Sequence, residues 1–239
     1  MLHSRRVATA LGTVAVLLAL AAPASAQSVV VVEAQNAAAA GNQLALTGSP
    51  APCNDGAYNL LGGRWTKTYA WSFKRSSTPS ALNKTAVTNT LVRSFSSITN
   101  GRNDCGMADR ISATHNYLGT TSRSPNCRQR DNHNVVGFGR MQLGVLAVTC
   151  FWISDGRIVE ADMRINNREK WALSLLACTG DRPMLEATIV HEAGHVFGLD
   201  HVGERRHGRL TMSPFIDGPC QNNEATLGKG DVLGLRQLY

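Results

Sequence analysis

The stretch His191-Glu192-Ala193-Gly194-His195-Val196-Phe197-Gly198-Leu199-Asp200-His201 constrains the fold more than any other part of the chain. Histidines four residues apart lie one turn above each other on a single helix face. Two imidazoles so placed can reach one metal ion at the ~2.0–2.1 Å of a zinc–nitrogen bond. Gly198 can take the left-handed conformation that ends a helix, so the chain can turn there and return His201 to the same ion. Three protein ligands leave a fourth position for water, which is the arrangement of a catalytic rather than a structural zinc site. Glu192 then stands where it can accept a proton from that water. A His-Glu-x-x-His pair alone can arise by chance on a solvated helix face. Each further fixed position lowers that chance by its average usage, ~7% for Gly. The rest of the chain has to hold this helix and turn in place.

The first residues read as an export signal. Met1-Leu2-His3-Ser4-Arg5-Arg6 is basic, an uncharged apolar run follows, and Ala24-Ser25-Ala26 supplies a small-x-small end. This is the pattern of a secretory signal peptide over residues 1–26, cut before Gln27, rather than of a membrane anchor, which would carry a basic flank after the apolar run. No other stretch is apolar over a bilayer's width. A secreted chain with no membrane association after cleavage is expected. The signal holds two of the 24 Lys+Arg and no acid, so 22 basic residues face 17 acidic ones afterwards, a net charge of +5. Arg123, Arg128 and Arg130, and Arg205, Arg206 and Arg209, fall in separate loops without interleaved aromatic residues. This reads as a solvated basic surface rather than a nucleic-acid groove, and no nucleic-acid partner is expected.

Six cysteines, at 53, 105, 127, 150, 178 and 220, form an even set in an exported chain, so three disulfides are expected. No Cys-x-x-Cys spacing offers a second metal site. The sequence leaves fifteen pairings open, and Cys105 with Cys127 is the one expected pair.

Residues 27–60 pass from Val29–Val32 through Ala37–Ala40 into Gly, Pro and Asn. They are expected to be a poorly ordered N-terminal segment, in the position of a short pro-segment. Trp65, Tyr69, Trp71 and Phe73 recur in even steps and predict a strand within 64–73. Thr78-Pro79-Ser80 offers a helix start, with apolar residues continuing to Ile98 and Asn100-Gly101 as the stop. Further strands are expected at 110–117, as two short strands or one bent strand within 135–151, and at 158–166, where Val159, Ala161, Met163 and Ile165 alternate with Glu160, Asp162 and Arg164. Asp181-Arg182-Pro183 opens the histidine helix. Val232, Leu235, Leu238 and Tyr239 predict a C-terminal helix. Without repeats or linkers, residues 61–239 read as one domain.

The motif at 191–201 resembles the signature of the metzincin zinc peptidases, with every fixed position present. Thr211-Met212-Ser213-Pro214 is similar to their Met-turn, which would set Met212 beneath the metal. Astacin-like and serralysin-like relatives carry Tyr two residues after that Met. Pro214, together with the lack of Gly-Asp calcium repeats, resembles the matrixins instead. Arg64-Trp65 with Tyr69, Val136–Gly139, Leu146-Ala147, Ile158–Asp162 and Asp231–Leu235 with Tyr239 look, in order, like matrixin strands and the closing helix. The resemblance covers roughly residues 62–239 and suggests a secreted bacterial type without accessory domains. It implies an α+β metzincin fold (three-layer-like), a twisted mixed sheet of about five strands with a long zinc-binding helix and a small C-terminal subdomain. The chain departs from vertebrate matrixins in two respects. His115 and His133 do not make up a second zinc site, and no Pro-Arg-Cys-Gly switch is present, since Pro52-Cys53-Asn54 does not match it.

What the resemblance implies is a monomeric zinc endopeptidase acting on proteins or peptides. His191, His195 and His201 would hold one zinc ion, and Glu192 would activate the water. The substrate would lie extended along a strand edge near Leu146 and Ala147, beside a pocket formed by Pro214, Phe215 and Ile216. Calcium is possible within such a family, but the residues do not specify a site. A secreted zinc-binding protein without turnover is the alternative, and it would have no need of a base at position 192. A disulfide-stapled adhesion or inhibitor module would bind no stoichiometric zinc.

Overall fold

The computed structural model describes residues 28–36, 49–216 and 218–239. The signal-peptide reading and Ala37–Ala40 lie outside them. Strand β1 (Ser28–Asn36) includes the β-branched Val29–Val32, so this part of the N-terminal segment is not the poorly ordered chain its composition suggests. A short strand β2 (Asn59–Leu60) precedes β3 (Tyr69–Phe73), where Tyr69, Trp71 and Phe73 are buried and Ala70 and Ser72 half-buried. Helix α1 (Lys84–Asn100) begins later than Thr78-Pro79 implies. The Asn83 side chain accepts the amides of Thr85 and Ala86 at 3.0 and 2.9 Å and so caps the helix, while the Thr78 hydroxyl closes a turn on Arg75. Gly101, with φ 66°, ends it.

The chain continues through β4 (His115–Thr120), β5 (Val135–Gly139), β6 (Val145–Ser154) and β7 (Arg157–Asn166). Asp155 and Gly156, both at positive φ, make the tight turn between β6 and β7. Helix α2 (Leu185–Val196) carries the first two histidines. It is followed by β8 (Leu199–Asp200), α3 (Glu204–His207), β9 (Phe215–Ile216) and α4 (Lys229–Leu238).

The main sheet runs β4-β3-β5-β7-β6-β1-β9. Its first five strands are the mixed sheet expected of the fold: β4, β3, β5 and β7 are parallel, and β6 runs antiparallel to β7. Two more strands extend it, and both come from segments read from sequence as something else. β1 pairs antiparallel with β6 from Ser28↔Ile153 to Gln35↔Val145, and pairs parallel with β9 at Gln35↔Phe215 and Asn36↔Ile216. The edge of β6 expected to be open to substrate is therefore covered by the chain's own N-terminal strand.

Helices α1 and α2 pack together, and α2 also lies against β6, β7 and β1. Between helices and sheet sits the core, with Trp71 packed at a tilt against Phe95 (4.7 Å between ring centres) and Tyr117 (4.8 Å). Aromatic pairs in this range add ~0.5–1.5 kcal/mol beyond the area they bury. On the other sheet face Val148, Cys150 and Trp152 pack with Cys127, Met141 and Val159.

That second cluster explains the disulfides. The cysteines pair as Cys53–Cys105, Cys127–Cys150 and Cys178–Cys220, and none is free among the described residues. The expected Cys105–Cys127 pair is wrong. Strand alternation turns Cys150 away from the helices, toward the polar loop that carries Cys127, while Cys105 lies with its Cα 5.0 Å from that of Cys53.

Candidate metal centre

Helix α2 is buried along almost its whole length, with His191, Glu192 and His195 at 0% exposure. Each ligand is set by a different backbone feature. The Nδ1 atom of His191 lies 2.7 Å from the Thr211 carbonyl, and that of His195 lies 2.8 Å from the Leu199 carbonyl. A carbonyl only accepts, so each imidazole carries its proton on Nδ1 and presents a bare Nε2 to the site. Gly198, at φ 93°, makes the turn after the helix. Pairing of β2 with β8, and the Leu61 amide on the Gly198 carbonyl at 2.9 Å, then hold the returning chain. His201 follows directly, its amide 2.7 Å from the Asp200 carboxylate.

The three Nε2 atoms converge. His191 and His195 are 3.0 Å apart, His195 and His201 3.0 Å, and His191 and His201 3.1 Å. Nitrogens that share one tetrahedral ion at ~2.0–2.1 Å stand about 3.3–3.4 Å from each other, so the triangle needs to open by only a few tenths of an ångström. Burial, and then the charge of His201, push His191 down to about 3; burial, and then His191 and His201, push His195 well below the usual imidazole range, and burial lowers His201 as well. Three neutral acceptors facing one another are a donor set that lacks only a cation. Among the described residues these are the one group of His, Cys, Asp or Glu that could hold a metal ion. His115 instead meets Ser96 and Trp71, and His133 bonds Asp131.

Below the histidines lies Met212, 1% exposed, its sulfur against the Cα of Gly194 on α2. The seat of this turn was not read from the sequence. Asp231, on α4, accepts the amides of Thr211 (3.0 Å), Met212 (3.3 Å) and Gly228 (2.9 Å), while the Thr211 carbonyl orients His191. Burial raises the Asp231 carboxyl to about 6 against those three bonds. The signal available was Gly228-Lys229-Gly230-Asp231, an acid three residues after a helix cap.

Glu192 has two further partners that sequence reasoning missed. One carboxylate oxygen accepts the Thr149 hydroxyl at 2.5 Å, and the other accepts the Ala34 amide at 3.0 Å. Leu146 and Ala147 are buried on β6, with Ala147 paired to Ala34. Pro214 is half-buried at the start of the segment whose Phe215 and Ile216 form β9 against Gln35 and Asn36. Of these five residues, Ala147, Phe215 and Ile216 pair directly with β1.

Residues 128–239 match the matrixin family of peptidases. No curated protein matches the chain. Together with the sheet, the histidine helix and the turn at Met212, the match defines a matrixin-like metzincin catalytic domain. Such a domain is that of a zinc metalloprotease, a hydrolase whose substrates are proteins. Among the described residues no helix is long and apolar enough to cross a membrane.

Proposed function

We propose that this chain is a secreted zinc endopeptidase in which His191, His195 and His201 hold the metal and Glu192 is the general base. The observation that carries the reading is the convergence of three neutral, carbonyl-oriented imidazoles next to a buried carboxylate. His191, His195 and His201 would hold a zinc ion, which when bound would supply Lewis acidity for the scissile carbonyl and a water of pKa ~7. Glu192 takes the proton of the attacking water and returns it to the leaving amine. Thr149 fixes the carboxylate's rotamer through its hydroxyl, so the accepting oxygen does not have to be positioned during the reaction. An extended substrate would gain main-chain bonds along β6 at Leu146 and Ala147 only where β1, which pairs that edge, gives way, and Pro214, Phe215 and Ile216 would then flank its far side. Met212 serves as the packing floor of the ligand helix. Three disulfides fit an oxidising, extracellular location.

Glu192→Gln keeps size and removes the base. Zinc should remain near one per chain while peptide hydrolysis falls by about 10²–10⁴-fold. Loss of zinc in this variant would make Glu192 a ligand, and full activity would exclude it as the base.

A further inference from the structure

A cavity of about 590 Å³ lies outside the metal centre. No metal ligand lines it, and neither do Glu192, Leu146, Ala147 or Pro214–Ile216. Its walls are fixed by the fold. The Cys53–Cys105 disulfide is part of the lining. The Leu227 amide bonds the Arg102 carbonyl at 2.9 Å, and the Thr226 hydroxyl bonds the Asp104 carboxylate at 2.7 Å. Glu186, on the first turn of α2, also faces the cavity and is paired with Arg93 at 3.5 Å. Three groups in this lining are left without partners. The Oδ1 atom of Asn222 is buried and accepts no hydrogen bond among the described residues. Its Nδ2 donates to Glu186 at 3.4 Å, so turning the amide over would set Oδ1 against a carboxylate. The orphan is therefore an acceptor, and it costs the fold stability unless a donor reaches it. The guanidiniums of Arg102 and Arg209 line the same cavity, and neither makes a hydrogen bond or ion pair among the described residues.

We propose that this cavity binds a carboxylate-bearing peptide segment, the carboxylate held by Arg102 and Arg209 and a neighbouring amide N–H by Asn222 Oδ1. The chemistry follows from what the lining lacks. Its two acids are already engaged, Asp104 by Thr226 and Glu186 by Arg93. What is unmet is a negative charge for two guanidiniums and one N–H donor for a buried oxygen. Guanidinium forks match a carboxylate in geometry as well as in charge. In a polypeptide the donor nearest to a carboxylate is the backbone amide beside it. A chain terminus and an Asp or Glu side chain both offer that pair of groups. A metal cation is disfavoured by the two arginines, and a purely apolar ligand would leave all three groups unanswered. The inference goes beyond the peptidase reading, because nothing in it requires the metal or hydrolysis. On that reading the cavity would give a protein substrate a second point of attachment outside the cleft.

Titration calorimetry on the zinc-loaded full chain carrying Glu192→Gln, which does not consume the probe, tests this. Three probes separate the sources: acetyl-Ala-Ala-Ala with a free carboxylate, its C-terminal amide, and the amide of acetyl-Ala-Glu-Ala. At least one carboxylate probe should bind, and the uncharged amide should not. Arg102→Gln and Arg209→Gln should each weaken that binding about tenfold or more, as the loss of a charge-assisted bond implies, with zinc content unchanged. Asn222→Leu should weaken it by less, and the thermal midpoint should stay equal or rise because an orphaned acceptor has gone. A lower midpoint in that variant would mean that the acceptor already has a partner, and would overturn the role given to it. Carboxylate binding that survives both arginine changes together would place the peptide elsewhere, on the metal for instance, and overturn the proposal. Inorganic phosphate that binds as tightly as the peptides, without any effect of Asn222→Leu, would reduce the cavity to an anion patch and overturn it as well. Absence of binding by every probe at about millimolar concentration would have the same consequence, with water then satisfying Asn222.

Discussion

Gly194→Ala sets two effects of opposite sign against each other. Inside a helix, alanine is favoured over glycine by roughly 0.5–1 kcal/mol because less backbone entropy is lost. At this position, however, an added Cβ would overlap the sulfur of Met212, with Met212 Cε at 3.1 Å and Leu199 Cδ1 at 3.6 Å. Only the leucine contact is ordinary. Met212 is 1% exposed, and its backbone is held by Asp231 and by the Val202 amide at 3.0 Å, so the sulfur has little room to retreat. Overpacking of this kind costs ~1–3 kcal/mol, which outweighs the helix gain and leaves a net loss of up to about 2 kcal/mol. For a domain of this size that is a fall of up to ~8 °C in the thermal midpoint. Because α2 has to move away from the Met-turn, His191 and His195 also shift relative to His201, and zinc affinity should fall. Calorimetry at fixed zinc and chelator competition measure the two effects. In a Met212→Ala background the same glycine substitution should become neutral or stabilising, a non-additivity that a double-mutant cycle isolates. A Gly194→Ala protein that is more stable than the parent and binds zinc equally well would show that Met212 does not brace the helix.

His201→Ala should weaken zinc binding far more than His115→Ala, since only His201 closes the triangle of Nε2 atoms; metal titration measures the difference. Gly198→Ala forces a Cβ against the Gly63 carbonyl at φ 93° and should lower both the thermal midpoint and metal affinity, whereas Gly203→Ala, with open space around it, should change neither. Asp162 is raised from 3.8 to about 7, first by burial and then by the charges of Glu160 and Asp131, against the amides of Asn126 and Val135. Its protonated form is therefore favoured by the fold, a contribution complete below about pH 4 and lost as pH rises toward about 7. The thermal midpoint of the parent minus that of Asp162→Asn should accordingly fall between those pH values, and a rise would refute the assignment. Alkylation of the unreduced protein should modify no cysteine, and removing Cys127–Cys150, which closes 23 residues, should cost about 3 kcal/mol in denaturant unfolding.

The alternation in β7 and the apolar spacing in α1 could be read from sequence because periodicity is a local property that only one face of an element needs to satisfy. The same holds for the spacing that puts His191 and His195 on one helix face, and for Gly198, whose missing Cβ permits the turn that the structure shows. The errors of reading are of another kind. Thr78-Pro79 looked like a helix start because capping chemistry also serves turns, and Asn83 captured the amides first. The Cys105–Cys127 expectation fails because pairing depends on which face a strand presents, and Cys150 faces the loop of Cys127. Thr149, Asp231 and Ala34 carry no signal of their own. They matter through bonds across 43, 20 and 158 residues, to Glu192, Thr211 and Glu192 respectively. β1 is the clearest case. A valine-rich run specifies an extended strand but not its neighbour, and only the folded domain offers the unpaired edge of β6, so only the tertiary structure could decide that this strand lies over Glu192.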